Sequence, residues 1–122
     1  MTTQDKATAR AIAAKARAAE AEALVPSKDA WPVDANGDKP SAVLGLMFPV
    51  APDGNGPPIS VLYFWPLRLA DMRAGDGLGK MEETAHFLRR SCHLTETVAD
   101  RIRECDVMRA NEVLQDFFAG SL

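Results

Sequence analysis

The sequence predicts an α+β domain: an antiparallel β-hairpin packed against a C-terminal set of short α-helices, with an N-terminal Ala-rich helical arm. Three observations carry this. Two apolar runs, "AVLGLMFPV" (42–50) and "ISVLYFW" (59–65), flank a loop that holds Asp53-Gly54 and Asn55-Gly56, both strong turn dipeptides. After Pro66 the apolar residues recur at spacings of three and four, the helical period. Residues 1–25 are dominated by Ala, Lys, Arg and Glu, which are strong helix formers. A chain of 122 residues fits a single such domain. The division is an arm at 1–25, a linker at 26–42 and the α+β unit at 43–122.

The arm runs from about Asp5 to Leu24 and is stopped by Pro26. Its large apolar residues are Ile12, Leu24 and Val25, too few to form a stripe. It either stands in solvent or docks through its small Ala face. Its acidic residues, Asp5, Glu20 and Glu22, argue against an organelle transit peptide. The following "PSKDAWPVDANGDKPS" has the Pro, Asp and Gly of a linker, and Trp31 within it is placed to pin that linker onto the domain.

In the first strand Leu44, Leu46, Phe48 and Val50 share one face at period two. The second strand is unusual. Ile59, Val61, Tyr63 and Trp65 lie on one face, Ser60, Leu62 and Phe64 on the other, and only Ser60 is polar. A half-buried strand alternates apolar with polar. Either helices cover both faces, or one face is core and the other meets a partner; the second arrangement is the expectation here.

Of the helices, "KMEETAHFLRRSC" places Met81, Ala85, Leu88 and Cys92 on a stripe. Thr95 is the N-cap of the next, with Val98 and Ile102 inward. Asp106 opens the last, which carries Val107, Ala110, Val113, Leu114, Phe117 and Phe118 until Gly120 ends it. Phe117 and Phe118, being adjacent, point to different sides.

Composition narrows the functions. A net charge of −3 gives no footprint for nucleic acid. No apolar run approaches the roughly 20 residues that span a membrane. Cys92 and Cys105 suit a reducing cytoplasm. With His86 and His93 they lack the paired spacing of a metal site, so no metal or cofactor is expected. Ser91-Cys92-His93 are neighbours in sequence, whereas a nucleophile, its base and its orienter come from separated positions. "GDGLG" lacks the Lys-Ser/Thr of a phosphate loop and reads as a hinge between helices. No catalytic residues emerge, and an enzyme is not the expectation.

The order of the pieces is more distinctive than any one of them. An apolar hairpin leads to the Pro-Leu-Arg-x-x-Asp-Met segment at 66–72, then to "HLTETVADRI" and "ECDVMRANEVLQDFF". From about Val43 to Phe118 this resembles the tail assembly chaperones of long-tailed bacteriophages and prophages. Leu94-Thr95, Val98, Ile102, Asp106, Val113 and Phe117 sit at the matching places, although here Pro66 precedes Arg68, where the family has Arg before Pro. The resemblance implies binding of the tape measure protein, which is kept from aggregating in the bacterial host cytoplasm until the tail tube assembles. The partner-binding residues would be Ile59, Val61, Tyr63, Trp65, Leu67, Phe117 and Phe118, taking a partner helix in a groove. A homo-oligomer is left open. The alternative is a structural minor tail or baseplate component of the virion.

Overall fold

The computed structural model describes residues 3–120. The outermost residues of the predicted arm and domain, 1–2 and 121–122, lie outside them. The fold class is as expected: an antiparallel hairpin packed against helices. Strand β1 spans Ala42–Val50 and β2 Ile59–Phe64. Helix α1 is Thr3–Ala23, α2 Leu69–Ala74, α3 Lys80–Cys92, α4 Glu96–Ala99 and α5 Glu104–Phe118, with a single 3-10 turn at Lys28–Ala30.

The register pairs Ala42 with Phe64, Val43 with Tyr63, Leu44 with Leu62 and Gly45 with Val61, then jumps to Val50 with Ile59. Because side chains alternate, Leu44, Leu46, Leu62 and Phe64 share the inner face. There they meet Phe87, Leu88 and Cys92 of α3, Val98 and Ile102, and Ala110 and Leu114 of α5, to make the core. The inward residues expected of the last three helices are in place with two exceptions. Met81 is 77% exposed, and Phe87 takes the buried position on α3 instead. Phe118 lies at the margin, 42% exposed.

The jump in register occupies residues 46–49, and its cause is chemical. Pro49 has no N–H to give the ladder. The amides of Met47 and Phe48 turn away from β2 and donate to the two carboxylate oxygens of Asp106, at 3.1 and 3.0 Å. Phe48 therefore leaves the face it was expected to share with Leu44 and Leu46. It lies half-buried beneath the guanidinium groups of Arg17 and Arg103, 5.0 and 4.2 Å from its ring centre. Asp106, expected as the cap of α5, is in its first turn and fully buried; Arg103 holds the cap position.

The outer face of the sheet is covered on its β1 side. The last turn of α1 crosses Gly45 so closely that a Cβ there would collide with the carbonyl of Ala21, which is buried, unlike the other residues of this helix from Asp5 on. Arg109 of α5 fastens the crossing. It donates to the Gly45 carbonyl, to Asp106 Oδ1 and to Glu22 Oε1, at 2.9, 2.9 and 3.0 Å. Of the two readings of the arm, docking holds for its C-terminal turn, and residues 5–17 are exposed.

Candidate functional site

Around the end of β2, a chain of short contacts places Tyr63 and Trp65 of the predicted binding strand. The linker runs beside β2 as a strap. Its Trp31 donates its indole N–H to the Pro26 carbonyl and sets its ring edge-on to Tyr63, centroids 6.4 Å apart. Asp34 Oδ1 accepts the amides of Asn36 and Asp38, closing a turn in which Gly37 takes φ +82°, a conformation that side chains disfavour. The strap is then sewn to the strand by two bonds: Trp65 Nε1 to the Asp38 carbonyl (2.9 Å) and the Ser41 amide to the Phe64 carbonyl (2.8 Å).

Beyond Phe64 the chain is held by α3. The Trp65 amide donates to the Ser91 carbonyl (2.9 Å), and Ser91 Oγ donates to the Trp65 carbonyl (2.8 Å). The strand stops where α3 supplies both partners that a third strand would supply. Pro66 turns the chain away, and Asp71 of α2 accepts the Arg68 amide at 2.9 Å, opening α2. His93 ends α3 in the left-handed conformation, φ 54°. Its ring lies 4.5 Å from that of Trp65.

Trp65 is therefore 9% exposed, while Ile59, Val61, Tyr63 and Leu67 are half-buried. The aromatic row on the outer face is Trp31, Tyr63, Trp65 and His93 in succession. It is the seam between strap and strand. Phe117 is half-buried on the core, and Phe118 turns to the surface and meets Phe87 edge-on at 5.4 Å. The seven predicted contact residues thus fall in two places, the outer face of β2 and its exit, and the end of α5.

At the second of these, α2, α3 and α5 frame a small open groove of mixed lining. Met72, Phe87 and Phe118 are its apolar members, Gln115 stands beside them, and at Gly75 a Cβ would strike the rings of His86 and Phe87. Asp76 and Glu83 rim it. Met72 is 38% exposed, and Leu69, Leu78 and Met81 on the neighbouring segments are also solvent-facing. Met72 and Gly75 were not expected at this site. The signal available was two methionines, Met72 and Met81, either side of a Gly-rich break, since Met is favoured on adaptable binding surfaces.

A larger, polar cleft of about 800 Å3 opens between the strap, the exit of β2 and the end of α3. Its lining includes Pro66, Arg68, Asp71 and Leu94, the arginines Arg89 and Arg90, both histidines, and the carboxylates of Asp34, Asp38 and Glu96. His86 Nε2 donates to the Asp71 carbonyl at 2.8 Å, so it joins α3 to α2 rather than pairing with Glu82 or Glu83.

The side chains of Ser91, Cys92 and His93 go separate ways. Ser91 bonds β2, Cys92 is buried in the core, and His93 faces Trp65 and Asp34. Burial pushes the Cys92 thiol far above its usual range, which leaves it protonated and inert. Among the described residues no three His, Cys, Asp or Glu side chains converge as a metal site would require. No helix among them is long and apolar enough to cross a membrane.

Comparison of the chain with models of protein families, with curated proteins and with solved structures gives no match.

Proposed function

We propose that this protein is a tail assembly chaperone of a long-tailed bacteriophage or prophage, acting in the host cytoplasm to hold the tape measure protein until the tail tube assembles. The order of hairpin, Pro-Leu-Arg-x-x-Asp-Met segment and capped helices supports this reading on the sequence side. The observation that carries it in three dimensions is the set of solvent-facing apolar side chains at the groove between α2, α3 and α5, Met72 and Phe118 on its walls and Leu69, Leu78 and Met81 on the neighbouring segments. A groove of this kind takes one apolar stripe of an amphipathic helix. The flexible side chain of Met72 on its wall can repack around different partners, which suits a client bound along its length and then released. The acidic rim, Asp76 and Glu83, favours client segments whose flanks are basic.

The test is co-expression with the tape measure protein of the same genome, followed by size-exclusion chromatography with light scattering. A complex that keeps the tape measure protein in solution is the expected result. A chain that elutes alone while the tape measure protein sediments refutes the proposal. Finding the chain in purified virions would favour the minor tail or baseplate reading.

A further inference from the structure

The polar cleft has a use that holding a helix does not require. Its carboxylates are already engaged. Asp34 Oδ1 accepts two backbone amides, and its Oδ2 faces His93 Nε2 at 3.9 Å. Asp71 accepts the Arg68 amide. Glu96 lies 3.7 Å from Arg89 Nη1, and Asp38 3.9 Å from Arg68 Nη2. Of the four cations that line the cleft, Arg68 and Arg89 are matched by these two ion pairs and the other two, among the described residues, are not. Arg89 Nε is buried without a hydrogen-bond partner. Arg90 and Lys39 line the same cleft and make no ion pair among the described residues. Buried donors are normally satisfied, and a cleft lined by an arginine with an unsatisfied N–H and by two cations without ion pairs is a place where an acceptor belongs.

We propose that this cleft binds a phosphorylated small molecule of about nucleotide size. Guanidinium groups present planar pairs of donors that match phosphoryl oxygens, and the bonds are charge-assisted. A cleft of about 800 Å3 is far larger than a bare phosphate and lies within the range of roughly 300–1,000 Å3 common for small-molecule sites. The phosphoryl group sits against Arg89 and Arg90, with Lys39 reaching in from the strap. The attached organic group lies toward the adjoining, mutually tilted rings of His93 and Trp65. Because the strap forms one wall and α3 the other, occupancy ties the linker to the domain.

The test is isothermal titration calorimetry of the full chain with AMP, inorganic pyrophosphate and citrate, alongside amide NMR spectra. AMP and pyrophosphate should bind with micromolar to low-millimolar affinity and shift the amides of residues 34–39 and 89–94. Arg90 and Lys39 are exposed, so the double variant R90A/K39A should fold as the parent does. It should lose about tenfold or more in affinity, the worth of one to two charge-assisted bonds. Asp38→Asn, which removes a competing carboxylate, should tighten binding, and Lys6→Ala on the distant arm should leave it unchanged. Absence of binding by both phosphoryl probes overturns the proposal, as does affinity that R90A/K39A leaves intact. Citrate binding as tightly as pyrophosphate overturns the phosphoryl assignment. None of these readouts involves the tape measure protein, so the outcome is independent of the chaperone reading.

Discussion

Asp106 shows how far one carboxylate can determine a local structure. Fully buried, it accepts the amides of Met47 and Phe48 and the guanidinium of Arg109, so three donors satisfy a charge that would otherwise be costly to bury. Arg109 then passes the connection to Gly45 and to Glu22 of α1. Asp106→Ala leaves two buried amides and a guanidinium without their acceptor. The expected cost is about 3 kcal/mol or more, read from urea denaturation. Asp106→Asn keeps one acceptor oxygen and should cost less. Equal stability of the alanine variant and the parent would refute the role assigned here. The sequence marked Asp106 as important for the wrong reason. An Asp before an apolar run reads as a cap because capping is local, whereas its actual partners lie 58 and 59 residues away. Ser91 was missed for the same reason: a small hydroxyl within an apolar helical stripe gives no hint that a strand end 26 residues away will bond it.

At the scale of elements, the signals that could be read were the ones each segment carries within itself. The two turn dipeptides, the cap at Thr95 and the breaks at Pro66 and Gly77 put the hairpin and the last helices close to where they are observed. The irregular half of β1 was also written in the chain, since a strand that contains Pro49 cannot keep a full ladder. What a segment packs against is less local, and α3 illustrates it. Met81 and Phe87 both fit a helical stripe, and only the position of β2 decides that Phe87 is buried and Met81 is not. The buried side of α3 also yields a pH prediction through Cys92. Its thiol is raised by burial in the folded state, while in the unfolded chain it titrates near about 8.5. The unfolded state therefore loses a proton first as the solution becomes alkaline. The stabilising contribution is full below that value and declines above it, by about 1.4 kcal/mol per pH unit for the single proton. Denaturation curves collected on the alkaline side should show this slope, and Cys92→Ala should flatten it. In the folded chain a thiol reagent should modify exposed Cys105 and spare Cys92. Rapid modification of both would contradict the packing of α3.

Over the whole molecule, an aromatic strand without polar alternation has two explanations, a partner or a second covering layer, and strand β2 alone does not distinguish them. The fold shows that much of the covering is internal. The end of α1 lies over Gly45 of β1, and the strap lays Trp31 against Tyr63 and ties Trp65 to Asp38. Both covering segments precede the hairpin, and a small-residue helix and a Pro-rich linker give little advance sign of what they cover. The consequence is a division of labour between two sets of residues first grouped together. Tyr63 supports the fold, held between Trp31 and Trp65, whereas Phe118 and Met72 face solvent at the groove between α2, α3 and α5. Tyr63→Ser should lower stability by about 1–3 kcal/mol, since it removes a half-buried aromatic and its edge-on partner contacts. The double variant Met72→Ser, Phe118→Ser should leave the denaturation midpoint nearly unchanged and yet fail to hold the tape measure protein in solution on co-expression. If Tyr63→Ser is stable but loses the client while the double variant retains it, the binding surface is the outer face of β2. The strap would then have to lift for the client to enter.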